Sequence, residues 1–141
     1  MSPRQSNPDR TTWVLQGEKA VSEASAAARG FAEARSLAGD DRARLCVIVE
    51  ELVSNLYDHG GLGTDDRIEL GLASEPDAIR ITLVDPAAPF NPWEAATLVE
   101  RPERGGGAGL DIVRAWTRFV GYGRTPEGNR LELILPFNPG A

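Results

Sequence analysis

The strongest helical pattern in the chain covers residues 41–59 and constrains both the fold and the site. Its apolar residues recur at the i, i+3, i+4, i+7 and i+11 positions that place them on one face of a helix. A second stripe beside this face contains Glu51 and Asn55, which are four residues apart and share one side of the helix. Polar groups at the border of a buried face tend to line a pocket. The apolar residues of the pattern are Leu45, Ile48, Val49, Leu52 and Leu56.

The remaining segments alternate between helical and strand patterns. An aspartate, Asp40 or Asp41, is expected to cap the helix at 41–59. The whole set predicts an α+β fold, a two-layer sandwich in which helices cover one face of a mixed, mostly antiparallel sheet. The other predicted elements are a strand at 11–16, a helix at 18–37, a hairpin of strands at 67–73 and 78–85, a helix at 110–120, and a last pair of strands at 121–124 and 131–136.

Length and composition indicate one soluble globular domain. The chain has 141 residues, 41% hydrophobic residues and a net charge of −6, and this charge argues against direct nucleic-acid binding, which usually needs a clustered basic face. We expect residues 1–10 to form a disordered segment before a domain at 11–137. With no signal peptide and no stretch near the ~20 apolar residues that cross a bilayer, we expect a cytoplasmic protein without a membrane partner.

The single cysteine limits the chemistry that the chain can perform. Cys46 alone excludes an internal disulfide and a cysteine-based metal site. Its position in an apolar helical pattern favours a buried structural thiol over a reactive one. For His59, the only histidine, a capping or pocket role is favoured over catalysis. The residues needed for a zinc site, a Ser-His-Asp triad or a Cys-His dyad are lacking.

A glycine run at 105–109 precedes the predicted helix at 110–120. Its backbone N–H groups can approach phosphate oxygens without side-chain obstruction, and the helix adds the positive end of its dipole. Taken alone, the run is also compatible with a flexible linker. It lacks the Gly-Lys-Ser/Thr ending of a Walker A loop, and a proline-rich segment rather than a strand precedes it. That segment, residues 86–102, is long enough to act as a lid and allows one helical turn near 93–97.

Three further polar residues suit a nucleotide site. Glu51 can act as a general base, and the Asn55 amide oxygen can ligate Mg²⁺, which takes few protein ligands. Asp85 ends an apolar strand and can accept a hydrogen bond from an exocyclic amine such as that of adenine. The alternatives are a solvated helix face for the first two residues and an Asp-Pro turn for Asp85.

Read in order, these stretches resemble the motifs of the GHKL (Bergerat-fold) ATPases, and in particular their bacterial anti-sigma branch with serine-protein kinase activity. Residues 51–59 (ELVSNLYDH) look like the N box of that branch, and residues 84–92 (VDPAAPFNP) look like its G1 box. Residues 105–114 (GGGAGLDIVR) resemble the G2 box and its helix, and the ending at 128–133 (GNRLEL) is also similar. The resemblance covers the chain from about residue 11 to residue 137 and implies the Bergerat ATP-binding fold.

The resemblance also implies roles for individual residues. Glu51 would be the catalytic base, Asn55 would be the Mg²⁺ ligand and part of the nucleotide site, and Asp85 would recognise the adenine amine. In the G2 box, Gly105, Gly107 and Gly109 would border the phosphates, with Leu110 following them. A lid at 91–104 would cover the nucleotide, and its Arg101 or Arg104 could reach the γ-phosphate.

One position departs from the family pattern. Ala87 stands where the second G1 position is usually glycine. An added methyl group near the adenine is either tolerated or weakens binding, particularly if the position needs a positive φ.

The resemblance implies a function in transcription regulation. The chain would bind ATP with Mg²⁺, bind a sigma factor, and phosphorylate a serine of an anti-anti-sigma protein of the STAS fold. A homodimer is compatible with it, since family members commonly dimerise. The alternative is a non-catalytic, nucleotide-responsive module of the same fold that sequesters a partner. A detached histidine-kinase-like ATPase domain is disfavoured because no phosphoacceptor helix precedes Thr11 in this sequence.

Overall fold

The computed structural model describes residues 3–7, 9–58, 60–89 and 106–137. These residues form six strands and three α-helices, and a short 3₁₀ turn leads into the first helix. The elements in chain order are β1 (Pro3–Asn7), β2 (Arg10–Gln16), the 3₁₀ turn (Gly17–Lys19), α1 (Ala20–Ala34), α2 (Gly39–Asp58), β3 (Arg67–Glu75), β4 (Ala78–Asp85), α3 (Gly106–Trp116), β5 (Arg118–Thr125) and β6 (Gly128–Pro136).

The described strands form one sheet in the order β1-β2-β3-β4-β6-β5, and every neighbouring pair is antiparallel. The predicted α+β sandwich is therefore confirmed, but the expected mixed sheet is antiparallel over the described residues. The reason is connectivity, because the loop-linked strands β3 and β4 pair as a hairpin and β5 and β6 pair as a second one. The second hairpin joins the sheet through β6, which lies beside β4.

The core lies between the helices and one face of the sheet. The five apolar α2 residues predicted to face inward are all buried, with exposed fractions of 5% or less. Alternate residues of β3, β4 and β6 meet them from the sheet, as period-two strands require. These sheet residues are Ile68, Leu70, Leu72, Ile79, Ile81, Leu83, Leu131, Leu133 and Leu135.

The first turn of α2 differs from the predicted cap. The helix begins at Gly39, so Asp41 lies inside its first turn and is 5% exposed. The Asp41 carboxylate accepts a hydrogen bond from Arg44 Nη2 at 2.6 Å, and the same nitrogen donates to the Pro136 carbonyl oxygen at 3.1 Å. The buried Asp41 therefore helps Arg44 to join α2 to the end of β6. A capping aspartate would instead have accepted hydrogen bonds only from backbone N–H groups of α2 itself.

Within the segment 1–10, which the sequence predicts to be disordered, residues Pro3–Asn7 form β1 and pair with β2. One predicted helix boundary is wrong. The helix expected at 110–120 ends at Trp116, and the chain continues as β5 from Arg118. The aromatic and β-branched residues after this point favour a strand, and pairing with β6 supplies their hydrogen bonds.

An ion-pair cluster joins three strands on the sheet. Glu132 of β6 accepts a hydrogen bond from Arg130 Nη1 at 2.9 Å and another from Arg80 of β4, and the Nε of Arg80 donates to Glu75 at 2.7 Å. The hydrogen bond from Arg130, aided by the one from Arg80, lowers the pKa of Glu132 below the usual 4.5, although burial opposes the shift. Ionised Glu132 is therefore favoured in the folded protein.

We expect Glu132→Gln to lower the melting temperature by about 3–5 °C at pH 7, equivalent to about 1 kcal/mol of stability for a partly exposed ion pair. The pKa is lower in the folded state, so the advantage of Glu132 is complete above its unfolded pKa and is lost as the pH falls through the folded value. Melting temperatures of both proteins between pH 3 and pH 7 should therefore begin to approach each other below about pH 4.5 and meet only below the folded-state pKa of Glu132. Glu127→Gln, at an exposed turn residue, is the control, and an equal loss there would contradict the assignment.

Cys46 is half-buried and packs against the core, so it is less enclosed than the expected buried thiol. Burial raises its pKa, which disfavours the reactive thiolate. In the part of the chain that the structure describes, no helix combines the length and the apolar character needed to cross a membrane.

Candidate functional site

Helix α2 and the sheet enclose a narrow cleft that brings together two residues predicted for the site. Asn55 of α2 and Asp85, the last residue of β4, both line it. The cavity measures about 10 Å³, about the space of one water molecule, so a purine ring enters only if side chains move. Its other described lining residues are Leu52, Leu56, Leu83, Tyr122, Asn129 and Leu131.

Asp85 is a buried carboxylate held by one of its two oxygens. It is 5% exposed, and its Oδ1 accepts hydrogen bonds from the Ala87 backbone N–H at 2.9 Å and from Asn129 Nδ2 at 3.0 Å. Among the described residues, none donates to Oδ2. The carboxylate is thus fixed in orientation with Oδ2 as an available acceptor, which is compatible with the predicted adenine recognition.

Asn129, which pairs with Asp85 across strands β6 and β4, connects this carboxylate to the following backbone. Its Nδ2 donates to the carbonyl oxygens of Ala88 at 3.0 Å and Ala87 at 3.3 Å. Its Oδ1 accepts hydrogen bonds from the Tyr122 hydroxyl and from Arg124 Nη1, the latter at 2.9 Å. Because both ends of the amide are engaged and Asn129 is only 2% exposed, the second hairpin clamps residues 85–88.

Sequence reasoning missed the members of this clamp, which are Tyr122, Arg124 and Asn129. Arg124 Nη1 also donates to the Ala87 carbonyl oxygen at 3.0 Å. A signal was present in the resemblance of residues 128–133 to the family ending, but nothing in the sequence placed that stretch beside β4. Gly128 completes the clamp with a φ of +127°, and a side chain there would run into the backbone of Asp85 and Pro86.

Ala87 occupies its position without backbone strain. Within the described residues, Ser36 is the non-glycine residue with a positive φ, so the φ of Ala87 is negative. Ala87 is 5% exposed, and its N–H and C=O are both hydrogen-bonded within the clamp. The backbone reason for requiring glycine at this position is therefore absent.

Glu51 lies against the glycine-rich start of α3. This helix begins at Gly106, so Gly107 and Gly109 belong to its first turns and not to a loop in front of Leu110. Gly109 is buried, and a Cβ added to it would overlap the carboxylate of Glu51 and lie 2.8 Å from its Cδ. The structure therefore brings the predicted base and the last glycine of the run into contact, while Leu110 is buried at 7% exposure.

Several predicted site residues lie outside the described residues. They are His59, the lid at 91–104 with its helical turn near 93–97, Arg101, Arg104 and Gly105. Their roles remain predictions. Among the described residues there is no cluster of three His, Cys, Asp or Glu side chains that could hold a metal ion. The donor set instead fits a cation carried mainly by phosphate and water oxygens, for which Asn55 would supply one protein ligand.

Comparison with known protein families gives one match. The family model of the histidine kinase-like ATPase domain matches residues 16–135. The match includes α2, the end of β4 and α3, and therefore Glu51, Asn55, Asp85 and Gly109. No curated protein matches the chain.

Proposed function

The chain belongs to the histidine kinase-like ATPase domain family, and from that premise we propose that it is an anti-sigma regulatory factor with serine-protein kinase activity. Membership of the family implies ATP binding, usually with Mg²⁺. Its proposed partners are a sigma factor, which it would sequester, and a STAS-domain antagonist, whose serine it would phosphorylate. The observation that carries the proposal is that Asn55 and Asp85 line one cleft, with Glu51 one turn earlier on the same helix.

Each residue has a defined task in this proposal. Asp85 Oδ2 accepts a hydrogen bond from the adenine amine, while Asn129 and the Ala87 N–H keep Oδ1 in place. Asn55 would supply one oxygen to Mg²⁺, and the bound cation would neutralise phosphate charge. The first turns of α3 present backbone N–H groups and the positive end of a helix dipole toward the phosphates.

The chemistry is phosphoryl transfer from ATP to a serine hydroxyl. The serine Oγ bonds to the γ-phosphorus, the bond from that phosphorus to the β–γ bridging oxygen breaks, and ADP leaves with the electron pair. Glu51 accepts the hydroxyl proton as general base. The direct test is incubation of the protein with γ-labelled ATP and a STAS-domain protein encoded beside it, with the label expected on one serine of the STAS protein.

A second candidate function has its own supporting observation. The cavity of about 10 Å³ admits adenine only when side chains move, so nucleotide binding would rearrange the cleft, as expected for a nucleotide-responsive module of this fold that sequesters a partner without catalysis. Sequestration of a sigma factor with no labelled STAS protein, under conditions where ATP binds, would support this candidate over the kinase.

We expect Mg-ATP to raise the melting temperature of the protein by roughly 5–10 °C, because ligand at 100 times its Kd stabilises by about 2.7 kcal/mol. Mg-GTP at the same concentration is the control, since a guanine presents a carbonyl oxygen where adenine presents the amine that Asp85 accepts. A shift measured by scanning calorimetry that is equal for both nucleotides would contradict recognition through Asp85. Absence of any shift at millimolar ATP would contradict nucleotide binding itself.

A further inference from the structure

Helix α3 contains a buried glycine in its interior, where glycine weakens a helix relative to alanine. Gly109 lies three residues after the helix begins at Gly106. The three heavy atoms nearest to a Cβ built on Gly109 all belong to one side chain, the carboxylate of Glu51. By contrast, a Cβ built on Gly30, in the exposed face of α1, meets nothing within 4 Å. The absence of a side chain at Gly109 thus has a specific structural consequence, which is space for Glu51.

We propose that Gly109 is a positioning residue that sets where the Glu51 carboxylate stands. The resemblance gave Gly109 a place beside the phosphates, whereas the geometry gives it a role through Glu51. The role of Glu51 as base rests on the proposed function, but the contact between the two residues does not. The α3 dipole adds to this placement, because the positive end of the helix attracts the carboxylate that packs near it.

The contact is asymmetric between the two carboxylate oxygens. A Cβ on Gly109 would overlap Oε2 of Glu51, while Oε1 lies 3.5 Å from the same point. Oε2 therefore rests against α3 at Gly109, and Oε1 is the carboxylate oxygen farther from this glycine. An alanine at this position would displace the end of a flexible side chain and no backbone atom outside the helix. The variant is accordingly expected to fold with Glu51 moved.

A double-mutant cycle on thermal stability tests the contact without any assay of catalysis. Gly→Ala at an unobstructed helix position raises the melting temperature by about 1–4 °C, and Gly30→Ala should do so in both the wild-type and the Glu51→Ala backgrounds. Gly109→Ala should give no gain, or a loss, in the wild-type background and recover the full gain in the Glu51→Ala background. An equal gain from Gly109→Ala in both backgrounds would overturn the proposal.

The second measurement is phosphoryl transfer from γ-labelled ATP to the STAS-domain protein. In the wild-type background, Gly109→Ala should slow transfer by about 10²–10⁴, the range for loss of a general base. In the Glu51→Ala background, the same substitution should lower the transfer rate by less than about 2-fold. A role in cradling phosphate would instead weaken Mg-ATP binding and slow transfer in both backgrounds, and that result would overturn the proposal. If wild-type protein transfers no phosphate, the proposed kinase function fails, and the thermal cycle alone decides whether Gly109 positions Glu51.

Discussion

Glu51→Gln is expected to slow phosphoryl transfer to a STAS-domain partner by 10²–10⁴ and to leave the affinity for Mg-ATP nearly unchanged. The amide keeps the shape of the carboxylate but removes the basic oxygen, and loss of a general base typically costs this much in rate. Because Glu51 packs on Gly109, the isosteric glutamine keeps this packing, and the comparison isolates the loss of the basic oxygen. Single-turnover transfer and calorimetric Mg-ATP binding would be measured on the same preparation.

The neighbouring residue supplies a matched control. Glu50 is on the same helix, but its Oε2 accepts a hydrogen bond from the Ser25 hydroxyl of α1 at 3.0 Å, away from the cleft. Glu50→Gln removes the same charge and should transfer phosphate at the wild-type rate. A wild-type rate in Glu51→Gln would show that the base is another group, although the ATP-binding fold would stand.

Asp85→Asn should weaken Mg-ATP binding by about 10- to 150-fold, which corresponds to about 1.5–3 kcal/mol for loss of a charged acceptor and mispairing of its partner. The structure indicates which oxygen is replaced. Oδ1 accepts from two donors, Ala87 N–H and Asn129 Nδ2, so the new amide nitrogen takes the place of Oδ2. It would then present a donor to the adenine amine, which is itself a donor.

Isothermal titration calorimetry of ATP against the Asp85→Asn protein provides the measurement. Asp111 is exposed on α3. Asp111→Asn therefore removes one negative charge at a position that does not line the cleft, and it controls for the change in net charge. Equal ATP affinity in the Asp85 variant and the wild type would show that Asp85 serves only as a turn residue, held by its own backbone and by Asn129.

The parts of the fold that were predictable from sequence are those with a local periodic signal. The buried stripe of α2 and the hairpin of β3 and β4 have clear 3.6- and 2-residue periods, and both are confirmed within a few residues at their ends. The end of α3 was misplaced because Val113, Trp116 and Val120 continue a helical spacing, while the strand that begins at Arg118 depends on pairing with β6. Tertiary pairing overrides local pattern in such stretches.

The candidate site divides in the same way. Glu51, Asn55 and Asp85 could be proposed because each has a local signature, either helix spacing or the end of an apolar strand. The clamp could not be proposed from the sequence. Asn129 meets Asp85 only through the pairing of β4 with β6, and the two residues are 44 positions apart in the chain. No local pattern reports such a contact. Likewise, the packing of Glu51 on Gly109 joins two helices whose relative position is a property of the core.

Ala87 has a consequence for the entropy of nucleotide binding. Its backbone is ordered by Asp85, Asn129 and Arg124, and its negative φ is accessible to any L-residue. Alanine samples fewer backbone conformations than the glycine that is usual in the resembled family. In the proposed site, the loop that would meet the purine is therefore organised before the ligand arrives, and binding would have less chain freedom to remove there. Under the proposed function, Ala87 would thus exchange some room beside the adenine for a more rigid recognition loop.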